Sequence, residues 1–193
     1  MGKVLPLPYL KEAREFADSK GLLMHLDGAR VFNASVKLGV DVKEITRNFD
    51  TISCCLSNGL DAPVGSVLCG SEARIKKARR WRKLLGGGMR QAVILAAAGI
   101  YALTHNIQRL KEDHENAMAL ARGLEQIVGI EINPVQTNIL FADIKADMNR
   151  LCRFLKGKGI IIDNANHLRL VTHLDISADG VEETIKAFRE FFA

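Results

Sequence analysis

What the chain has little of narrows the field first. Its four cysteines, Cys54, Cys55, Cys69 and Cys152, stand in no CxxC or metal-type spacing, which argues against a disulfide framework and against a metal site. Reduced core cysteines are expected, three of them on strand-like apolar runs, and with them a cytoplasmic setting. No apolar run approaches the length of a membrane span. The longest, Ala92–Leu103, is Ala-rich, is interrupted by Gly99 and Tyr101, and predicts a buried helix. The opening Met1-Gly2-Lys3 leads to Pro6 and Pro8 without the continuous apolar core of a signal peptide. Repeats and low-complexity segments are absent, and no GxGxxG or Walker pattern supports nucleotide binding. The run from Arg74 to Lys83 is strongly basic, but it has a single tryptophan, and Ile75, Ala78, Trp81 and Leu85 recur at helical spacing. An ordinary amphipathic helix is expected there rather than a nucleic-acid surface.

What remains is a chain of 193 residues with 48% apolar and 25% charged residues and a net charge of 27 − 22 = +5. That length suffices for one domain with a good core or two small ones. Short apolar strands alternate with helices over the first half: Tyr9 to Lys20 helical, Leu22 to Leu26 a strand, Ala29 to Leu38 and Val42 to Asn48 helical. Strands over Asp50 to Leu56 and Val64 to Cys69 follow. The alternation predicts an α/β fold with a mainly parallel sheet covered by helices. So few strands make a thin layer, as of the later part of a larger sheet domain. Helices over Ser71–Leu85, Met89–Leu103 and Ile107–Val128 come next. After Gly129 the pattern reads strand (130–133), strand (138–144), helix (147–156), strand (160–163), strand (167–172), helix (178–192). The expected organisation is a sheet domain over residues 1–105 and a small α+β domain over 106–193.

Ser57-Asn58-Gly59 ends the apolar strand over Thr51–Leu56 and lifts one side chain out at the carboxyl end, where open α/β sheets place ligands. Asp27 ends another apolar strand; it reads either as a helix N-cap or as a partner for a buried cation. Arg30 lies in the first helical turn, where the macrodipole disfavours a cation, so an anionic ligand or Asp27 itself is its expected partner. Gly86-Gly87-Gly88 before Arg90 reads as a phosphate-binding turn or as a flexible break between helices. Arg169 interrupts the strand Leu168–Val171 and calls for a carboxylate, from protein or ligand. His25 and His173 have an ordinary structural reading beside any catalytic one.

The series HLDGARVFNA, CLSxGLxAPVGSxL, RRWRKLLGGGMRQ, AAAGIYAL, QTNILF and RLVTHLD, in this order over nearly the whole chain, resembles the low-specificity L-threonine aldolases. These are fold-type I lyases that use pyridoxal 5′-phosphate (PLP). The resemblance implies that Asp27 pairs with the pyridine nitrogen and that Arg30 lies beside the ring and the substrate carboxylate. It further implies that Arg169 grips that carboxylate and Arg90 reaches the cofactor phosphate of a neighbouring subunit, in a homo-oligomer (dimer or tetramer). The family reaction is retro-aldol cleavage of the β-hydroxy amino acids L-threonine or L-allo-threonine to glycine and acetaldehyde.

Two departures matter. Asn58 stands where the family has its Schiff-base lysine, and an amide nitrogen cannot take that role. Asp61 replaces the small residue usual in that turn. The family's N-terminal part, with the ring-stacking side chain and the Gly-Thr phosphate loop, has no counterpart here. The expectation is an impaired or inactive aldolase. A non-catalytic binding or assembly protein on the same fold is the alternative, and a related β-eliminating lyase fits the motifs less well.

Overall fold

The computed structural model describes residues 2–193 and divides them into two compact units, Leu5–Arg109, and residues 2–4 with Leu110–Ala193. The first unit holds α1 (Leu7–Ser19), β1 (His25–Asp27), α2 (Val31–Leu38), α3 (Val42–Thr46), β2 (Thr51–Cys55), β3 (Ser66–Gly70), α4 (Glu72–Leu84) and α5 (Val93–His105). Its sheet runs β1-β2-β3. β1 and β2 are parallel, with Asp27 opposite Ser53, and β2 and β3 are antiparallel, with Cys55 opposite Ser66. The sheet is therefore mixed rather than mainly parallel. One cluster of its core is built on Leu10, Val31 and Ile45, and Leu56, Leu60 and Ala102 are buried in this unit as well.

One expectation about this unit is overturned. Ala92–Leu103 does form a helix, but only Gly99 and Ala102 of α5 are buried, while Val93, Ile94 and Ile100 are exposed. Three strands offer too little surface to cover a helix that is apolar all round. α4 has no buried residue at all, and Trp81, Leu84 and Leu85 lie open.

At the amino ends of β1 and β2 the Asp50 carboxylate ties three segments together. It accepts from Arg14 at 2.8 Å, from Arg74 at 3.1 Å and from the Met24 amide at 2.9 Å. The Met24 amide, followed by Arg14, holds the Asp50 carboxyl below its ordinary pKa. Arg74, the first cation of the basic run, thus has a structural task.

The second unit comprises α6 (Leu110–Glu125), β4 (Ile130–Ile132), β5 (Ile139–Ile144), α7 (Met148–Gly157), β6 (His167–Val171) and α8 (Ala178–Phe192). The sheet is antiparallel in the order β4-β5-β6. Leu140, Ala142, Ile144 and Leu168 meet Leu124, Leu151, Leu155 and Phe188 of the helices in one contiguous core. Caps fix where the helices start: Asp147 accepts from the Arg150 amide and Ser177 from the Gly180 amide. The strand expected over Ile160–Asp163 is absent. Ile160 and Ile162 do turn towards the core and Ile161 outwards, but the segment pairs with no strand among the described residues. Alternation recorded its burial, not a ladder.

No helix among the described residues is long and apolar enough to cross a membrane, and none of their His, Cys, Asp and Glu side chains cluster as metal ligands. All four cysteines are free. Burial pushes the Cys54 thiol up from its ordinary pKa, with Cys69 and Cys55 adding to the shift, so it is kept protonated and unreactive. Cys69, expected in a core, is exposed on the β3 edge.

Candidate functional site

β1 and β2 end side by side and point the same way, so the turns after them share one rim of the sheet. The Gly28 amide donates to the Ser53 carbonyl at 2.8 Å and closes the gap between the two strand ends. Asp27, the last residue of β1, is exposed, and its Oδ1 accepts from the Ala29 amide at 3.2 Å. It is not the helix cap: α2 starts four residues later, with Arg30 at the N-cap position and no side-chain cap bond. One carboxylate oxygen is thereby steadied by a local turn while the group stays open to an outside donor. Arg30 is half-buried at the start of α2.

Asn58 lies three residues beyond β2, half-buried, in a turn held at several points. The Leu56 amide donates to the Gly65 carbonyl at 2.9 Å and the Ala62 amide to the Leu56 carbonyl at 3.0 Å. Leu60, 1% exposed, plugs the turn into the unit, and its carbonyl accepts from Asn106 Nδ2 at 2.7 Å. Asp61 takes a left-handed φ of 58° and pairs with Arg109 at 3.4 Å. The charge that replaces a small residue here therefore has a cation of its own. Asn106 and Arg109, which hold this turn from some 46 to 48 residues away, carry no signal in the local sequence pattern.

The glycine run does not sit at a helix N-terminus. Gly86, at φ 82°, leaves α4, its amide donating to the Lys83 carbonyl and the Gly87 amide to the Arg82 carbonyl. These two bonds make a Schellman cap, which consumes two of the amides expected to face a phosphate. α5 begins only at Val93, with Ala92 as its cap residue. Arg90, exposed in the intervening loop, keeps its charge free of any partner among the described residues.

Arg169 belongs to the other unit, on β6, exposed and opposite Phe141 of β5. No hydrogen bond or ion pair engages it among the described residues. Asp27, Arg30, Asn58 and Arg90 are thus carried by the first unit and Arg169 by the second. Of the two histidines singled out in the sequence, His25 Nδ1 bonds Thr51 Oγ1 at 2.9 Å and His173 Nδ1 accepts from the Asp175 amide at 3.3 Å.

The donor chemistry fits non-covalent retention of PLP, with an open carboxylate at the strand end for a protonated ring nitrogen and guanidinium groups for phosphate and carboxylate. It does not fit covalent attachment at position 58, where the group is an amide.

Known proteins agree with this reading of the fold. The chain is 48% identical over all of its 193 residues to the low specificity L-threonine aldolase of Escherichia coli (strain K12) and spans 58% of that protein, its C-terminal portion. Low-specificity L-threonine aldolase 1 of Arabidopsis thaliana is 41% identical over 98% of this chain and 55% of its own length. Among solved structures, the Leishmania major threonine aldolase superposes with a TM-score of 0.76 at 19% identity, covering 97% of this chain and 57% of that one. The beta-eliminating lyase family matches residues 1–147. The chain belongs to that family, whose members depend on pyridoxal phosphate.

Proposed function

We propose that this chain is a threonine aldolase-type protein whose family chemistry is the cleavage of L-threonine or L-allo-threonine to glycine and acetaldehyde, and that on its own it is impaired or inactive in that reaction. The observation that carries the proposal is Asn58, in a turn at the carboxyl end of β2 closed by the Leu56 and Ala62 amides, on the same rim as Asp27. When bound, PLP supplies the electron sink that bond cleavage next to an amino group requires. Asp27 would accept a hydrogen bond from the ring nitrogen and keep it protonated. Arg90 would neutralise the cofactor phosphate of a neighbouring subunit, Arg30 would lie beside the ring, and Arg169 would offer a substrate carboxylate a fork suited to two oxygens. Asn58 would donate and accept hydrogen bonds but could not form a Schiff base with an aldehyde.

Incubation with PLP, reduction with borohydride and peptide mapping tests this reading. The expected result is no stoichiometric pyridoxyl-lysine in the native chain and a single adduct at position 58 in Asn58→Lys. A single stoichiometric adduct at another lysine, prevented by L-allo-threonine, overturns the impairment, as does turnover by the purified chain.

A second reading, assembly without catalysis, is favoured by one observation. Val67 and Leu68 on the β3 edge, Trp81, Leu84 and Leu85 on and just after α4, and Ile94 on α5 are large apolar side chains left exposed on the first unit. Surfaces of that kind mark interfaces with other chains, here a homo-oligomer (dimer or tetramer) or a mixed assembly with an intact aldolase. Stable mixed oligomers on coexpression would support it, and a monodisperse monomer under all conditions would remove it.

A further inference from the structure

The QTN motif at residues 136–138 has so far no task. In the structure it straps residues 2–4 onto the second unit. The Val4 amide donates to Gln136 Oε1 at 2.7 Å, and Thr137 Oγ1 donates to the Gly2 carbonyl at 2.7 Å. Gly2 has a φ of 62°, and a Cβ there would come within 2.8 Å of Ile139 Cβ, so only glycine suits this close passage. Lys3, fixed between the two bonds, reaches a cavity of about 310 Å³ lined by Asn133, Pro134, Ile139, Phe141 and His167.

This cavity lies on the sheet face opposite the core. Strand alternation puts Ile139, Phe141 and Asp143 of β5 on that face, and the register sets Val171, Arg169 and His167 of β6 opposite them. The polar groups of the face are unevenly partnered. Asp143 is hydrogen-bonded to His167 Nδ1 at 2.6 Å, and Glu131, opposite Asp143 on β4, pairs with Lys145. Each acidic group is therefore engaged by a partner. Lys3 and Arg169 have none among the described residues, and Phe141, which lines the cavity, is Arg169's direct cross-strand neighbour.

We infer that this face binds a ligand with two acidic groups, Arg169 taking one and Lys3 the other. The substrate class becomes β-hydroxy amino acids that carry a second carboxylate, with Gln136 and Thr137 as positioning residues for Lys3. The inference rests on the reading of Arg169 as the anchor of the α-carboxylate. Asn133 adds an amide and Phe141 an apolar wall, which together suit a short, polar carbon chain.

L-Aspartate and L-asparagine are near-isosteric and differ in the second charge, so NMR titration of the full chain with each isolates the contribution of Lys3. The expected result is at least tenfold tighter binding of aspartate, a preference that shrinks as salt rises. Lys3→Met, which keeps the aliphatic stem of an exposed residue, removes the preference and leaves asparagine binding unchanged. Gln136→Ala/Thr137→Val reproduces that loss, and Arg169→Met abolishes both. Equal binding of the two amino acids that still depends on Arg169 overturns the inference and leaves the carboxylate anchor standing. A preference that survives Lys3→Met also overturns it. Failure of both ligands to bind removes the anchor reading and the inference with it.

Discussion

Asn106 closes helix α5, and its side chain reaches back to the carbonyl of Leu60 in the turn that presents Asn58. With a donor–acceptor distance of 2.7 Å in a half-buried setting, this is a well-formed bond. Asn106→Ala leaves the Leu60 carbonyl without its donor, and stranding a buried acceptor costs about 1–3 kcal/mol. The helix end itself loses little, since the Asn106 amide still donates to the Ala102 carbonyl. The cost therefore falls on local opening of the turn and multiplies its opening constant by about 5- to 150-fold. Native-state hydrogen exchange reads this at the Ala62 amide, whose bond to the Leu56 carbonyl spans the turn. Asn106→Asp, which offers no donor when ionised, should behave like alanine. Amides of β5, in the other unit, serve as the internal standard and should not change. Exchange at Ala62 within twofold of wild type would sink the idea that α5 holds the position-58 turn.

Three further outcomes follow from particular contacts. Phe188→Ala empties a fully buried site in the second unit and should cost about 3–5 kcal/mol, read by urea unfolding followed by circular dichroism. Gly2→Ala forces a side chain into a left-handed backbone and against Ile139, at a cost of about 1–2 kcal/mol or more, and should raise both Val4 amide exchange and Lys3 acetylation. Asp50 has a folded pKa below its ordinary 3.8, so its contribution is present above that value and is lost as pH falls through the lowered one. Asp50→Asn should be less stable than wild type at pH 6, and the gap between their melting temperatures should close as the solution is acidified below 3.8.

Local pattern was a good guide wherever burial and hydrogen bonding act along the chain. The helix of Ala178–Phe192 is found at the bounds its apolar stripe predicts, and β5 and β6 fall where their alternation puts them. Pattern misled where a periodic signal has two causes. Ile160–Asp163 alternates because it crosses the edge of a core, and Ala92–Leu103 is apolar without being covered. The glycine run misled for a related reason: glycine serves both a phosphate turn and a helix C-cap, and only the hydrogen bonds of Gly86 and Gly87 distinguish them. Asn106 and Arg109 on the Asn58 turn, and Gln136 and Thr137 on residues 2–4, were illegible because their partners lie 46 to 135 residues away.

These long-range ties bear on what Asn58 means. A turn released from function has no physical need for a plug such as Leu60, two backbone bonds, a distant amide and a left-handed Asp61 held by Arg109. The left-handed backbone at Asp61 carries some strain, which its half-buried pair with Arg109 helps to offset. The turn is thus held at several points and places position 58, an amide in this chain, beyond the end of β2. If presentation of position 58 is the function of this architecture, Asn58→Lys should leave melting temperature and exchange at Ala62 unchanged while gaining the borohydride-trapped adduct. Loss of stability with no adduct would mean that the turn has been rebuilt around asparagine, and that the fold now serves binding rather than cleavage.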